Sequence, residues 1–254
     1  METHLHPVQV GDCMLRTSPE FALKRAVSAG LGRVYEIGPC FRERESGPWH
    51  RREFLMLEWY RVGATLPDLM DEYVACAEVV SRALGQEPET WRRVTVAELF
   101  RRYCEIEDVH AASVEVLSSH PEGWEDAFMR RWVSEIEPKL TGALLVYDWP
   151  APLAALARTR SEGGQTIALR FEAYLHGREL ANAFAELGDA KEQLRRFHTA
   201  NQQRAEIGEP AHPVDPRFIE AVGSLPLCSG IAVGLERMIA VMVGWDSLQP
   251  GRFD

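Results

Sequence analysis

Charged residues that could bind a nucleotide are grouped in three stretches of the chain, residues 41–60, 179–186 and 230–237. Arg42 and Arg237 could bind phosphate groups, because a guanidinium presents parallel donors and stays charged near neutral pH. Glu179 and Glu186 offer the carboxylate oxygens that magnesium prefers. Activating a carboxylate with ATP requires cations at the phosphates and acids that bind the metal. The three stretches therefore contain candidates for each of these tasks.

The first stretch is predicted to form a strand, a polar loop and a second strand. Alternation of side chains would place Arg42 and Cys40 on one face, and it would place Glu58 and Tyr60 together on a face of the strand at 53–62. One face would then mix phosphate-binding with substrate-binding side chains. The alternative is an exposed cationic strand that pairs with an acidic one.

The two acids of the middle stretch cannot both face one site by alternation alone. Glu179 and Glu186 are seven residues apart, so an unbroken strand would turn them to opposite faces. A bulge or a strand end between them would bring them to the same side. A structural role for this pair is an equal alternative to metal binding.

The last stretch combines spaced glycines with the start of a helix. Gly230-Ile-Ala-Val-Gly234 precedes Glu236-Arg237 and an apolar run, which predicts a strand that leads into a helix. Gly234 would allow a nucleotide to approach the backbone closely. Glycines in a strand also mark bends or tight packing, so the prediction depends on their coupling to the Glu-Arg pair.

The remaining predicted elements surround these strands. Thr17-Ser18-Pro19-Glu20 is typical of a helix start, and that helix is expected to run to about Gly30. Apolar spacing predicts three helices between residues 66 and 140 and another helix from 186 to 204. Further strands are predicted at 33–38, 40–45 and 141–149, with a hairpin over 166–184 that turns at His176-Gly177. This order predicts an α+β fold, an antiparallel sheet flanked by helices.

Composition limits the class of protein. The 254 residues suffice for one large domain, and the formal net charge of −10 disfavours a protein whose main surface binds nucleic acid. Residues 1–12 lack the pattern of a secretory signal, and no apolar run reaches the roughly 20 residues that cross a bilayer. The five cysteines are scattered and are predicted to be small core residues. These observations predict a reduced cytoplasmic protein without a membrane partner.

Two of the stretches resemble signature motifs of one enzyme superfamily. Residues 41–60 resemble motif 2 of the class II aminoacyl-tRNA synthetases, and residues 230–243 resemble motif 3, in the same order along the chain. The phrases at 57–61, 179–186 and 227–232 are similar to the lysyl-tRNA synthetase paralogues that modify elongation factor P. The resemblance covers about Cys13 to Gly244. It implies a single class II synthetase-like catalytic domain over residues 1–254, without an anticodon-binding domain.

The resemblance also implies a two-step reaction. ATP and lysine or beta-lysine would form an aminoacyl adenylate, which a lysine amine of elongation factor P would capture. The residues implied to contact the amino acid are Ser18, Pro19, Glu20, Tyr60 and Glu186. Those implied to bind ATP are Arg42, Glu45, His50, Arg51, Glu179, Leu180, Gly234 and Arg237, with Arg42 and Arg237 as the catalytic residues. Mg²⁺ would bind Glu179 and Glu186, and the family implies a homodimer.

The chain departs from the family pattern in motif 2. Arg44 stands two residues after Arg42, where the family usually has an acid. Either Glu45 substitutes through a shifted loop, or adenine recognition differs. Arg51 and Arg52 also stand where relatives tend to carry smaller or neutral residues.

The beginning of the chain departs as well. Met1-Glu2-Thr3 resembles the tail of motif 1, which builds the dimer interface, with His4 where its proline would stand. Either the native protein extends upstream, or this form lacks a dimerisation helix.

Competing functions follow from the same residues. A lysyl-tRNA synthetase-like enzyme would charge tRNA, or a carrier protein, with the amino acid; the acidic charge balance makes tRNA the second choice. A synthetase-like protein without catalysis would serve as a regulatory subunit. Retention of Arg42, Glu179, Glu186 and Arg237 argues against the latter.

Overall fold

The computed structural model describes residues 5–45 and 47–248. The predicted motif 1 tail at Met1-Glu2-Thr3 and His4 lies outside these residues. The helices are α1 (Glu20–Ser28), α2 (Leu66–Ala83), α3 (Val96–Cys104), α4 (Val114–Leu117), α5 (Trp124–Arg131), α6 (Ala190–Glu206), α7 (Pro216–Gly223) and α8 (Leu235–Met242). Shorter helical segments cover Trp132–Ile136, Glu137–Lys139 and Ala151–Leu153.

The strands are interspersed with these helices along the chain. They are β1 (Gln9–Val10), β2 (Cys13–Met14), β3 (Arg33–Phe41), β4 (Glu53–Val62), β5 (Trp91–Thr95), β6 (Ala143–Pro150), β7 (Thr159–Glu162), β8 (Gln165–Leu175), β9 (Arg178–Ala185) and β10 (Cys228–Gly234). The chain forms two compact units, one of Met1–Thr65 with Glu186–Asp254 and one of Leu66–Ala185. Both combine helices with mainly antiparallel strands, so the α+β prediction is confirmed.

The first unit contains three antiparallel strands in the order β3, β4, β10. Their register places Gly230 of β10 opposite Tyr60 of β4. Met56, Glu58 and Tyr60 are buried, as the alternation of β4 predicts. Helix α1 packs against β3 and β4, and α8 packs against β4 and β10. The predicted strand-to-helix motif at residues 230–237 therefore forms.

Aromatic side chains hold the helices of the first unit together. Phe21 of α1 stacks on Phe218 of α7 with ring centroids 3.9 Å apart, and Phe197 of α6 lies 6.1 Å from Phe21. Leu23 and Val27 of α1 are also buried. This packing fixes the orientation of α1, whose first turn carries Glu20.

Two predictions within the first unit are wrong in their boundaries. Residues 33–41 form one continuous strand, because Pro39 lies in β3 at the edge of the three-strand group, where a missing N–H is tolerated. The strand at 40–45 therefore ends at Phe41, and Arg44 has a φ of 61° in the turn that follows. Helix α6 begins at Ala190 rather than at 186, because Asp189 caps it by accepting from two backbone N–H groups.

The second unit has a mixed sheet. β6, β8 and β9 are antiparallel neighbours and β7 pairs with β8, whereas β5 pairs with β6 in parallel. The sequence prediction of only helices between residues 66 and 140 missed β5, because two exposed arginines interrupt its apolar pattern. Thr95 ends this strand and caps α3 in a capping box with Glu98.

The core of the second unit is rich in aromatic rings. Phe100, Phe128, Trp132 and Trp149 are fully buried and lie within 4.7–6.3 Å of one another, measured between the centroids of contacting rings. The predicted strand near 141–149 and the hairpin over 166–184 both form, with turn residues at His176 and Gly177.

The predicted burial of the cysteines holds for three of them. Cys40, Cys104 and Cys228 are buried, whereas Cys76 is partly exposed and Cys13 is exposed in the short β1–β2 hairpin. The prediction is wrong for Cys13 because that two-residue strand has no buried face. Within residues 5–45 and 47–248, no helix has the length and apolar content needed to span a bilayer.

Candidate active site

The first turn of α1 positions two of the predicted substrate-binding residues. Pro19 occupies the N-cap position, and the Ser18 hydroxyl oxygen accepts a hydrogen bond from the backbone N–H of Glu20 at 3.0 Å. The same hydroxyl donates to Glu58 Oε2 at 2.6 Å. The segment Ser18-Pro19-Glu20 is therefore tied to strand β4.

Glu58 and Tyr60 share the buried face of β4. The Tyr60 hydroxyl donates to Glu58 Oε1 at 2.6 Å, so both Glu58 oxygens accept hydrogen bonds. Glu58 is 1% exposed and Tyr60 is 4% exposed. A carboxyl group in this position is almost fully removed from water, which is costly unless a partner compensates it.

Lys24 connects two further carboxylates. Its ammonium lies 2.5 Å from Glu20 Oε1, one helical turn earlier, and 2.6 Å from Glu186 Oε2. It also lies 5.9 Å from the centroid of the Tyr60 ring. The six residues of this acidic cluster are Ser18, Glu20, Lys24, Glu58, Tyr60 and Glu186.

Glu186 is held by its backbone immediately after β9. Its N–H donates to the carbonyl of Cys228, the first residue of β10, at 3.0 Å. Its side chain is 2% exposed, and Oε1 is buried without a hydrogen-bond partner in the structure. A buried carboxylate oxygen that lacks a donor is an acceptor that a bound ammonium group could satisfy.

Because Gly230 has no side chain, there is room beside it for the Tyr60 ring and the Glu186 carboxylate. A Cβ atom at that position would overlap the Tyr60 ring and would lie 2.7 Å from Glu186 Oε1. Glycine is therefore needed here because Tyr60 and Glu186 lie close to the backbone, and not because the backbone angle is unusual.

Burial and mutual repulsion change the ionisation of the cluster. Burial, reinforced by the charge of Glu20, raises the pKa of Glu58 to about 7, although the hydrogen bonds from Ser18 and Tyr60 act against it. Burial likewise raises the pKa of Glu186 to about 8, against the opposing effect of Lys24. Burial lowers the pKa of Lys24, but the charges of Glu186 and Glu20 outweigh it and raise that pKa above its usual value.

The predicted phosphate-binding residues lie in the same unit. Arg42 Nε donates to the carbonyl of Thr17 at 3.4 Å, and its guanidinium lies over the Phe54 ring, 5.2 Å from the centroid. Glu45 Oε1 lies 3.7 Å from Arg42 Nη1, and Glu45 Oε2 lies 3.5 Å from His50 Nε2. Because Thr17 directly precedes Ser18, Arg42 is anchored beside the segment that enters the acidic cluster.

Motif 3 is connected to the motif 2 loop by side chains from the start of α8. Arg237 Nε donates to the carbonyl of Trp49 at 3.2 Å, and Glu236 Oε2 accepts from the N–H of Leu55 at 2.6 Å. Arg51 Nε donates to the carbonyl of Leu248 at 3.3 Å. Among the described residues, a Cβ atom on Gly234 would meet only the Cβ of Arg237 within 4 Å, at 3.8 Å. Protein atoms therefore leave room over the Gly234 backbone.

The structure shows where the side chain of Arg44 goes. It lies 2.5 Å from Glu209 Oε1, in the segment after α6, and it is largely exposed. Glu45, the next residue, instead pairs with Arg42 and His50. The substitution of Glu45 for the missing acid of motif 2 stays a prediction.

Glu179 and Leu180 belong to β9 in the second unit. The pairing of β9 with β8 shifts between Ala173 and Tyr174, because Tyr174 pairs with Glu179 and Ala173 pairs with Ala181. Leu180 is thus an extra residue, a bulge, and β9 ends at Ala185 before Glu186. The sequence argument asked for a bulge or a strand end between Glu179 and Glu186, and the structure has both; the joint role of the two acids in metal binding stays a prediction.

A magnesium site made of protein ligands alone is not present in the part of the chain that the structure describes. No group of three or more His, Cys, Asp or Glu side chains there could hold a metal ion. Magnesium commonly binds one or two carboxylates together with substrate phosphates and water. The carboxylate donors of the predicted pair fit that usual mode.

Comparison with known proteins identifies the family. The model of the class II tRNA synthetases of the D, K and N types matches residues 3–250. The chain belongs to the class II tRNA synthetase family. The predicted synthetase fold is confirmed, and the chain is an ATP-dependent ligase of this family.

Individual relatives within the family carry a more specific name. An elongation factor P–(R)-beta-lysine ligase of Vibrio cholerae is 39% identical over 243 residues, which cover 92% of this chain and 75% of the relative. The ligase of the same name from Proteus mirabilis is 36% identical over 244 residues, covering 91% and 73%. That of Yersinia enterocolitica is 35% identical over 248 residues, covering 92% and 74%.

Two residues of the acidic cluster, Lys24 and Glu58, were not among the candidate site residues named from the sequence. Lys24 lies four residues after Glu20 in a predicted helix, so an ion pair between them was detectable from spacing. Glu58 shares the predicted strand face with Tyr60, which was a second available signal. The ion pair of Lys24 with Glu186 depends on a tertiary contact that spacing does not reveal.

Proposed function

We propose that this chain activates a lysine-type diamino acid with ATP and transfers it to a lysine amine of elongation factor P. The observation that carries the proposal is the acidic cluster, in which Glu20 and Glu186 contact Lys24, Glu58 lies beside them, and Glu186 Oε1 has no hydrogen-bond partner among the described residues. The names of the relatives support the same substrate and acceptor.

The amino acid would be bound by its ammonium groups. An ammonium group offers three donors, and buried carboxylates are strong acceptors for it. Ser18, Pro19 and Glu20 would contact the substrate from the start of α1, and Tyr60 and Glu186 would contact it from β4 and from the segment after β9. Glu58 joins this set because its carboxylate is connected to both Ser18 and Tyr60.

ATP would be bound by the second group of residues. Arg42, His50, Arg51 and Arg237 would neutralise the phosphates, Glu45 would contact the adenine side, and the open backbone at Gly234 would approach the nucleotide. Glu179 and Leu180 are proposed as further ATP contacts. Magnesium, held by Glu179 and Glu186, would offset the phosphate charge. The contact of Arg42 with Thr17 supports an arrangement in which the phosphate and amino acid sides adjoin.

The reaction requires no covalent enzyme intermediate. A carboxylate oxygen of the amino acid attacks the α-phosphorus of ATP, and pyrophosphate leaves to give the aminoacyl adenylate. A neutral lysine amine of the acceptor then attacks the adenylate carbonyl, AMP leaves, and the amine loses a proton to solvent as the amide forms. Catalysis would come from positioning and from charge stabilisation by Arg42 and Arg237.

The acceptor is tested by transfer to alternative molecules. The purified chain, ATP, Mg²⁺ and radiolabelled beta-lysine or lysine are incubated with elongation factor P, with an elongation factor P variant that has arginine in place of its acceptor lysine, or with lysine tRNA. We expect acid-stable label on elongation factor P only when the acceptor lysine is present. Label on tRNA would instead support a charging enzyme, and label on neither would overturn the proposed transfer. The proposed substrate and acceptor imply that the chain acts in the cytoplasm, and we propose that it does so as a homodimer.

A further inference from the structure

Lys24 is an unusual residue for this chain. Only three of the 28 basic residues are lysines, at positions 24, 139 and 191, and the others are arginines. Lys24 is 1% exposed, whereas lysine is almost never fully buried unless it is paired. The single buried lysine of the described residues is therefore placed at the centre of the acidic cluster.

The surroundings of the Lys24 ammonium are acidic on each packed side. Glu20 approaches from the same helix, and Glu186 approaches from the segment after β9. On the β4 side, Tyr60 presents its ring and Glu58 contributes negative charge. A compact ammonium can contact both Glu20 and Glu186 at about hydrogen-bond distance, whereas a planar guanidinium is larger and has a fixed fork.

The formal charges of the cluster match a dication. Glu20, Glu58 and Glu186 carry three negative charges when ionised, and Lys24 removes one of them. Two negative charges remain, and a lysine-type diamino acid carries two ammonium groups. Without Lys24, the three neighbouring carboxylates would repel one another, and Glu20 and Glu186 would lose the cation that lies between them.

We propose that Lys24 is a positioning residue that holds the carboxylates of Glu20 and Glu186 in place and adjusts the cluster to the two positive charges of a diamino acid. This inference rests on the proposed function, because it assumes that the cluster binds the amino acid. Lys24 acts through the two carboxylates and does not contact the reacting atoms.

The test compares Lys24→Met with Lys24→Arg and with Lys191→Met, a matched control because Lys191 is exposed. ATP–pyrophosphate exchange is measured with lysine and beta-lysine at one fixed pH. We expect Lys24→Met to raise KM for the diamino acid at least tenfold while KM for ATP changes less than twofold. Lys191→Met should match the wild type in both.

A split between KM and kcat separates a positioning role from a merely structural one. Lys24 lies 2.5 Å from Glu20 Oε1 and 2.6 Å from Glu186 Oε2, so its removal should displace these carboxylates and raise KM for the diamino acid, while the melting temperature and KM for ATP change little. Lys24→Arg keeps the charge but not the compact shape of the ammonium, so it should restore KM for the diamino acid only in part. An unchanged KM for the diamino acid in a folded Lys24→Met would overturn the proposal. Absence of exchange in the wild type would contradict the proposed function instead.

A second measurement applies even if Lys24→Met does not fold. In full-length chain labelled with ¹⁵N-lysine, only three side-chain ammonium signals are expected, and Lys24→Arg identifies the one that belongs to Lys24. We expect that signal to shift on addition of lysine or beta-lysine, and not on addition of norleucine, which lacks the second ammonium. A signal that does not respond to either diamino acid would overturn the proposal.

Discussion

At the scale of single residues, the site depends on carboxylates that burial keeps difficult to ionise. Glu58 and Glu186 have raised pKa values of about 7 and about 8, so both can bind protons near neutral pH in the absence of substrate. A bound diamino acid would favour their charged forms. Substrate binding should therefore release protons in this range.

The raised pKa of Glu58 should make the folding stability of the chain depend on pH. A carboxyl group whose folded pKa is above its unfolded value, here about 7 against 4.5, stabilises the fold fully below the unfolded value and loses this contribution as pH rises through 7. Glu58→Gln removes the ionisable group. We expect the melting temperature of ligand-free Glu58→Gln, relative to wild type, to be higher at pH 8.5 than at pH 5.5.

The size of this effect follows from the same linkage. One unit of pKa difference corresponds to about 1.4 kcal/mol, so the relative gain should exceed ~1 kcal/mol and should be visible in thermal melts. Glu122→Gln serves as a control, because Glu122 is a partly exposed acid whose pKa is lowered, first by its hydrogen bond with Arg130, so that it does not titrate in this range. A Glu58→Gln difference that stays constant across this pH range would contradict the assigned ionisation.

At the scale of elements, one helix and two adjacent strands form most of the acidic cluster. α1 contributes Glu20 and Lys24, β4 contributes Glu58 and Tyr60, and β10 brings Gly230 against the Tyr60 ring. β3 covers the other edge of β4. The closest packing occurs between β10 and β4, so this pair is the most sensitive to added volume.

Gly230→Ala tests this packing. The added methyl group would overlap Tyr60 and crowd Glu186, so we expect KM for the diamino acid to rise at least tenfold and stability to fall by about 1–3 kcal/mol. Gly32→Ala is the matched control, because a Cβ there would meet no atom within 4 Å and its φ is not positive. The comparison is made by ATP–pyrophosphate exchange and denaturant unfolding. If the two variants have equal KM for the diamino acid and equal stability, the close packing of Tyr60 and Glu186 against Gly230 is unimportant.

Most elements could be predicted from local sequence, and the exceptions have physical causes. Alternation in β4 placed Glu58 and Tyr60 correctly on one face. The continuous strand through Pro39 was missed because an edge position tolerates proline, and β5 was missed because its exposed arginines hide the pattern.

The site itself was only partly predictable. Ser18, Glu20, Tyr60 and Glu186 were named from the family resemblance, and the first unit places them around Lys24. The role of Lys24 could not be read from the sequence, because it depends on Glu186, a residue far along the chain, whose backbone is fixed by Cys228. The turn that directs Arg44 to Glu209 is another tertiary effect.

At the scale of the whole molecule, the family assignment and the chemistry of the first unit agree. The family model matches residues 3–250, which include motif 2, both acids of the 179–186 stretch and motif 3. The chain covers about three quarters of the length of the ligases that it resembles. ATP-dependent activation is the step common to the proposed ligase and to a tRNA-charging enzyme, so it is the step to test first.

Activation of a diamino acid through the acidic cluster is the step on which the proposed function depends. It is tested by ATP–pyrophosphate exchange with the purified full chain and Mg²⁺, using lysine, beta-lysine, norleucine and the other amino acids. We expect exchange with one or both diamino acids, none with norleucine, and loss of at least 100-fold in Arg237→Ala, the variant at a proposed phosphate contact. Exchange that norleucine supports equally, or no exchange with any amino acid, would show that the cluster does not select and activate a diamino acid.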